Sequence, residues 1–152
     1  MRTRSAFNTI IADQLYQRGQ IYTWTLEAKK NALHDLGITA VINLWPKTDP
    51  DMANLNLDWY LQLYCPHSKD TLNPCVINAA KMAVDYLRLQ NRKLLVLCEA
   101  GKTRSVFFSI LVVKPLLQVN MTDATATVLA QVPSSSLKGF MYEWMERNSN
   151  AL

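Results

Sequence analysis

Cysteine, histidine and glycine are scarce in this chain of 152 residues, which has three cysteines, two histidines and four glycines. No two cysteines have the C-x-x-C spacing of a zinc site, so the sequence predicts no metal site. An odd number of cysteines also argues against a scaffold of disulfides. We therefore expect a protein that needs no cofactor.

Long hydrophobic runs are lacking too. The longest run, residues 106–113, is interrupted by Ser109 and is followed by Lys114 and Pro115. A membrane-spanning helix needs about 18 apolar residues. The N-terminal region lacks the apolar stretch of a secretory signal as well. The expectation is a cytoplasmic protein without a membrane span.

The chain has no cluster of residues with the same charge, although its net charge is +4. The basic residues are scattered and form no long run, which argues against nucleic-acid binding. A mildly basic surface would still attract anionic substrates. The length fits a single domain covering residues 1–152.

Segments typical of strands and of helices alternate along the chain. This predicts an α/β fold with a small central, mainly parallel sheet of four to five strands, flanked by helices. Strands are expected at residues 10–12, 21–25, 38–44, 58–64 and 93–97, and helices at residues 26–36, 73–90, 104–113, 122–131 and 136–147. In the second helix six apolar residues share one face: Val76, Ala79, Ala80, Ala83, Val84 and Leu87.

The most informative stretch is CEAGKTRS, residues 98–105, which follows a short apolar strand and precedes an apolar helix. Ligands of α/β proteins bind at the carboxyl ends of the strands. A helix N-terminus at that place offers unpaired N–H groups and partial positive charge. A short loop containing Gly101 can curl its N–H groups around an anion. The predicted phosphate-binding loop consists of Cys98, Glu99, Ala100, Gly101, Lys102, Thr103 and Arg104.

Three side chains of this segment suit the cleavage of a phosphate ester. In the positive field of the loop Cys98 is favoured as a thiolate, which would attack phosphorus and form a phosphocysteine. Arg104 can hold two phosphate oxygens with its planar guanidinium. Ser105 can hydrogen-bond the sulfur and ease its departure in the second step.

The spacing Cys-x-x-Gly-x-x-Arg-Ser resembles the signature loop of the protein-tyrosine phosphatase superfamily. The segments ADQLYQRG (residues 12–19) and LGITAVINL (residues 36–44) resemble dual-specificity phosphatases of that superfamily. Further resemblance near the C-terminus lies at Val132, Pro133, Gly139, Phe140 and Trp144. The resemblance implies hydrolysis of phosphotyrosine, together with phosphoserine and phosphothreonine. The implied partner is a phosphorylated protein or another phosphomonoester.

The resemblance also implies a general acid, an aspartate on an upstream loop that protonates the leaving oxygen and later activates water. We expect Asp70 in this role, since it ends the segment YCPHSKD after a predicted strand. Asp49 in WPKTD is similar to the Trp-Pro-Asp loop of other tyrosine phosphatases, but it comes one strand too early. We therefore expect Asp49 on a surface loop, with Asp51 equally early in the chain.

One position departs from the family pattern. The family usually has histidine immediately before the nucleophile, and Leu97 stands there in this chain. Leucine packs in a core but cannot hydrogen-bond the loop. The alternative function is therefore a catalytically weak or inactive interaction module that binds phosphate. The physiological substrate and the oligomeric state stay open.

Overall fold

A five-stranded sheet lies at the centre of the computed structural model, which describes residues 6–64 and 74–152. The strands are β1 (Asn8–Ile11), β2 (Leu15–Gly19), β3 (Ala40–Asn43), β4 (Trp59–Gln62) and β5 (Leu94–Cys98). Their order across the sheet is β1-β2-β5-β3-β4. Only the pair β1 and β2 is antiparallel among these strands. The predicted α/β class with a mainly parallel sheet is confirmed.

Helices cover both faces of the sheet. They are α1 (Leu26–Leu36), α2 (Pro74–Leu87), α3 (Arg104–Leu117), α4 (Met121–Gln131) and α5 (Gly139–Asn148), and short 3-10 helices span Pro50–Asn54 and Ser149–Ala151. In the part of the chain that the structure describes, no helix is both long and apolar enough to cross a membrane.

Helix α1 has the bounds that its sequence predicts, because both of its ends carry clear signals. The Thr25 hydroxyl accepts a hydrogen bond from the Ala28 N–H at 3.1 Å and thereby caps the first turn. Gly37 takes a left-handed conformation with φ of 70° and ends the helix.

Strand β5 divides the core into two parts, since its side chains alternate between the faces of the sheet. Leu94, Val96 and Cys98 belong to the larger core, which α2, α3, α4 and α5 complete. Leu95 and Leu97 belong to the smaller core on the side of α1. The predicted apolar face of α2 lies in the larger core with all six of its residues buried: Val76, Ala79, Ala80, Ala83, Val84 and Leu87.

The segment 21–25, predicted as a strand, is instead a turn before α1. The Trp24 N–H donates to the Ile21 carbonyl at 2.9 Å, and Ile21 is buried under the helix. The actual strand is β2, which sequence patterning did not single out. Its residues Gln17 and Arg18 interrupt the apolar pattern, and the strand forms because β1 and β5 pair with it on either side.

Candidate active site

The CEAGKTRS loop lies where three parallel strands end together. Strand β5 ends at Cys98, which is opposite Gly19 of β2, while its neighbour Leu97 is opposite Asn43 of β3. Gly101 has a φ of 72°, and a Cβ atom added there would lie 2.3 Å from the Gly19 nitrogen. The loop therefore packs so closely on the end of β2 that only glycine fits at position 101.

Three carbonyl groups of the loop point outward, because donors from surrounding segments bind them. The Glu99 carbonyl accepts from the Gln20 N–H at 3.0 Å, and the Lys102 carbonyl accepts from the Ser136 N–H at 2.8 Å. The Gly101 carbonyl accepts from the Gln17 side chain at 2.7 Å. In a trans peptide the N–H of the next residue points the opposite way. The N–H groups that follow these three carbonyls are therefore directed into the loop, as a site for an anion requires.

The sulfur of Cys98 lies at the floor of this loop, with the residue only 2% exposed. The Gly101 N–H donates to the sulfur at 3.2 Å. The Ser105 hydroxyl, one residue into α3, lies 3.0 Å from the same sulfur. Two hydrogen-bonding groups therefore converge on the sulfur, and one of them, the Gly101 N–H, can only donate to it.

Arg104 supplies a buried cation at the first position of α3. Its Nη1 atom lies 3.4 Å from the Leu44 carbonyl, just beyond β3. Its Nη2 atom lies 3.6 Å from a carboxylate oxygen of Glu99, whose side chain is 64% exposed. The guanidinium thus extends from the end of β3 to the loop. Its planar set of donors matches the geometry of a phosphate group.

Gln17 is a part of the site that sequence reasoning missed. Its side chain is fully buried, and its Nε2 atom lies 2.7 Å from both the Gly101 carbonyl and the Ser105 hydroxyl. Its Oε1 atom accepts from the Asn8 side chain at 2.9 Å. The sequence carries no signal for this role, because Gln14 and Gln20 occur in the same short segment.

The expectation for Asp49 was wrong, because this aspartate is buried rather than on the surface. Asp49 is 6% exposed and lies 2.8 Å from Nζ of Lys29, a residue of α1 that is 1% exposed. Asp51 approaches the same Nζ at 2.8 Å but is 33% exposed. Burial alone would lower the pKa of Lys29, but the hydrogen bonds and charges of the two aspartates outweigh it and raise that pKa. The charge of Lys29 on α1 therefore offsets the cost of burying the Asp49 carboxylate.

The loop after β3 is shaped by Asn43, the last residue of that strand. Its Oδ1 atom accepts from the Trp45 N–H at 2.9 Å, and its Nδ2 atom donates to the Lys47 carbonyl at 3.1 Å. The Lys47 ammonium lies 4.1 Å from the centre of the Tyr22 ring, in a cation–π contact. Trp45 and Lys47, which follow Leu44, therefore both pack against the Tyr22 ring, and the Leu44 carbonyl itself contacts Arg104.

The remaining predictions have different outcomes. Cys98 and Ser105 are in contact and Arg104 contacts Glu99 of the same loop, whereas Asp70 lies outside the described residues. Leu97, which stands in place of the usual histidine, is 2% exposed and packs in the smaller core. It therefore makes no side-chain hydrogen bond to the loop.

Comparison with known proteins identifies the fold. No protein-family model matches the chain, and no curated protein matches its sequence. Among solved structures, PTPMT1 matches with a TM-score of 0.79 and 14% identity, over 95% of this chain and 94% of that one. The PTP-2 phosphatase of Cydia pomonella matches with a TM-score of 0.76 and 16% identity, over 95% and 91%. Human DUSP28 matches with a TM-score of 0.72 and 12% identity, over 98% and 96%.

The chain has a dual-specificity-phosphatase-like fold. The match covers nearly the whole length of these phosphatases as well as of this chain. The fold that the sequence resemblance implied is therefore confirmed.

Proposed function

We propose that the protein is a cysteine-dependent phosphatase that hydrolyses phosphate monoesters through a phosphocysteine intermediate. The observation that carries the proposal is the position of the Cys98 sulfur, within 3.2 Å of the Gly101 N–H and 3.0 Å of the Ser105 hydroxyl, at the floor of a loop with inward N–H groups. Arg104 follows at the start of the helix. The phosphatase neighbours in fold support the same class of reaction.

In the first step the Cys98 thiolate attacks phosphorus, an S–P bond forms and the P–O bond of the ester breaks. The loop N–H groups and the Arg104 guanidinium bind the three non-bridging oxygens, where negative charge concentrates. The leaving oxygen takes a proton from a general acid. Asp70 is our candidate for this acid.

In the second step water attacks the phosphorus of the phosphocysteine, the S–P bond breaks, and inorganic phosphate and the thiolate are released. The general base, which is the same aspartate in its ionised form, takes a proton from the water. The Ser105 hydroxyl donates to the departing sulfur and stabilises its negative charge. No metal or cofactor takes part in the proposed cycle.

The proposal extends to phosphorylated proteins as substrates, with phosphotyrosine, phosphoserine and phosphothreonine as candidate groups. Neighbours in fold that are named as dual-specificity phosphatases support this range. Release of phosphate from three matched phosphopeptides, which differ only in the phosphorylated residue, measures the preference directly.

Replacing the nucleophile tests the reaction itself. Cys98→Ser should abolish hydrolysis of p-nitrophenyl phosphate while inorganic phosphate or vanadate still binds, because serine keeps the loop but is a poor nucleophile at neutral pH. Cys75→Ser is the matched control, because Cys75 is an exposed residue of α2, and it should keep the wild-type rate. Unchanged turnover in Cys98→Ser would remove this residue from its role. Binding without turnover in the unmodified protein would favour an interaction module instead.

The identity of the acid is tested with two kinds of leaving group. Asp70→Asn should slow hydrolysis of phosphotyrosine by about 100-fold or more, which is the usual contribution of a general acid. Hydrolysis of an ester with a strongly acidic leaving phenol should fall much less, because that oxygen leaves without a proton. An equal loss for both substrates would point to another acid.

A further inference from the structure

The hydrogen bonds of Gln17 determine how Ser105 can act on the sulfur. The Gly101 carbonyl is an acceptor only, so the amide nitrogen of Gln17, and not its oxygen, must face the loop. The Asn8 side chain fixes the same orientation, because its N–H donates to the amide oxygen of Gln17. The two hydrogens of the Gln17 amide are then available for Gly101 and Ser105, each at 2.7 Å.

A hydroxyl group has one hydrogen to donate and two lone pairs that can accept. Since the Ser105 oxygen accepts from Gln17, its own hydrogen is free for another partner. That partner is the Cys98 sulfur at 3.0 Å. The second hydroxyl in this part of the helix, Ser109, donates to the Ser105 carbonyl and does not compete.

We propose that Gln17 is a positioning residue that directs the Ser105 hydroxyl to donate its hydrogen to the Cys98 sulfur. The inference rests on the proposed function, in which Cys98 acts as a thiolate. Gln17 thereby orients groups of the loop by hydrogen bonds. The histidine that usually precedes the nucleophile would contribute to this, and Leu97 cannot. Gln17 does so from a neighbouring strand, with a neutral amide that adds no charge beside the sulfur.

Several charged groups lie on the loop and on the elements beside it. Glu99, Lys102 and Arg104 belong to the loop and the start of α3, and β2 contributes Arg18, whose guanidinium lies 4.5 Å from the centre of the Trp24 ring. Strand β3 contributes no ionisable side chain at Ala40–Asn43. All of these charges stay unchanged when Gln17 is replaced by a neutral residue. A change in sulfur reactivity would then come from the hydrogen bonds.

The test is the pH profile of Cys98 alkylation by iodoacetamide, with each cysteine followed by mass spectrometry of its peptide. Gln17→Met keeps the length of the side chain but removes both donors. The midpoint of the profile should move to higher pH by about one unit, which makes alkylation about tenfold slower below the midpoint. Gln14→Met is the matched control, because Gln14 donates to the Leu87 carbonyl, away from the loop, and it should leave the midpoint in place.

A double-mutant comparison shows whether Gln17 acts through Ser105. In a Ser105→Ala protein the change Gln17→Met should move the midpoint no further, because the hydrogen bond to the sulfur is already lost. An unchanged midpoint in Gln17→Met alone, with only a lower melting temperature, would overturn the proposal. An equal shift in the presence and absence of Ser105 would overturn it too.

The experiment does not depend on turnover, so it separates this inference from the proposed function. Alkylation reports on the sulfur without any substrate, whereas the Cys98→Ser experiment reports on hydrolysis. If Gln17→Met fails to fold, as judged by circular dichroism, Asn8→Ala decides the question. That change removes the contact that holds the amide oxygen of Gln17 and leaves only the loop contacts to orient the amide, so the midpoint should shift in the same direction by a smaller amount. No shift in folded Asn8→Ala would then overturn the proposal.

Discussion

Two turns at the same edge of the sheet are held by opposite means. The loop after β5 is held by neutral groups: the Gln17 amide and the backbone N–H groups of Gln20 and Ser136. The segment after β3 begins with the neutral hydrogen bonds of Asn43, but its far part is held by charge, since Lys29 lies 2.8 Å from both Asp49 and Asp51. Both turns end up beside the Arg104 guanidinium, which contacts the Leu44 carbonyl.

The difference follows from what each turn has to do. A loop that accepts an anion and a thiolate must keep its positive field, and a buried carboxylate in its support would weaken that field. A neutral amide can hold a loop carbonyl in its outward orientation by a hydrogen bond without weakening the positive field. The segment after β3 has no such restriction, and an ion pair between α1 and the 3-10 helix fixes it instead. Stability and reactivity should therefore respond to different substitutions.

The largest expected effect comes from breaking the ion cluster with Lys29→Met. The change leaves Asp49 buried without its cation, and loss of one partner from a buried pair costs about 3–5 kcal/mol. The measurement is the free energy of unfolding from denaturant titration. Lys30→Met, the next residue on α1 and exposed, is the control and should change that free energy by less than about 0.5 kcal/mol. Equal stability of the two variants would contradict the role of the cluster.

The next effect comes from the loop itself, in Gly101→Ala. A methyl group at φ of 72° would lie 2.3 Å from the Gly19 nitrogen. The left-handed backbone and the overlap together should cost about 3 kcal/mol. The loop can avoid the overlap only by moving off the end of β2, so turnover and vanadate binding should be lost even where the protein stays folded.

Gly139→Ala is the matched control for this substitution. Gly139 begins α5, and an added Cβ atom would meet no atom within 4 Å. Turnover should be unchanged, because the residue lies outside the phosphate loop. If Gly101→Ala retained full activity, the close packing of the loop on β2 would have no bearing on catalysis.

The same contrast shows what the sequence can predict. The loop after β5 follows from local signals, namely an apolar strand, a glycine and an arginine at a fixed spacing from Cys98. Helix α1 was predicted with its bounds because Thr25 and Gly37 mark its ends. Such features depend on residues that are close in the chain.

The features that were missed depend on partners distant in the chain. Asp49 is buried because Lys29 of α1 neutralises it, and a sequence of loop residues gives no sign of such a partner. Gln17 is 88 residues from Ser105, and its function depends on the pairing of β2 with β5. Strand β2 itself escaped notice for the same reason, since its polar residues find their partners only in the folded protein.

The smallest expected effect tests Glu99, a negative charge within the phosphate loop itself. Glu99 is 64% exposed and lies 3.6 Å from Arg104, so its removal in Glu99→Gln should change the free energy of unfolding by no more than about 1 kcal/mol. Phosphate binding should nevertheless improve by about fivefold at low salt, because the carboxylate no longer competes for the guanidinium. The measurement is the inhibition constant of inorganic phosphate against p-nitrophenyl phosphate.

Salt separates this effect from a change in loop shape. Screening at an ionic strength of about 1 M shortens the reach of surface charges to about 3 Å, so the gain in Glu99→Gln should largely vanish there. Glu143→Gln, at an exposed position on α5, carries the same change of charge and should leave the inhibition constant unaltered at either salt concentration. A gain that persists at high salt would mean that Glu99 acts on the conformation of the loop. The loop would then be supported by a charged residue as well as by neutral groups, and its contrast with the segment after β3 would be weaker.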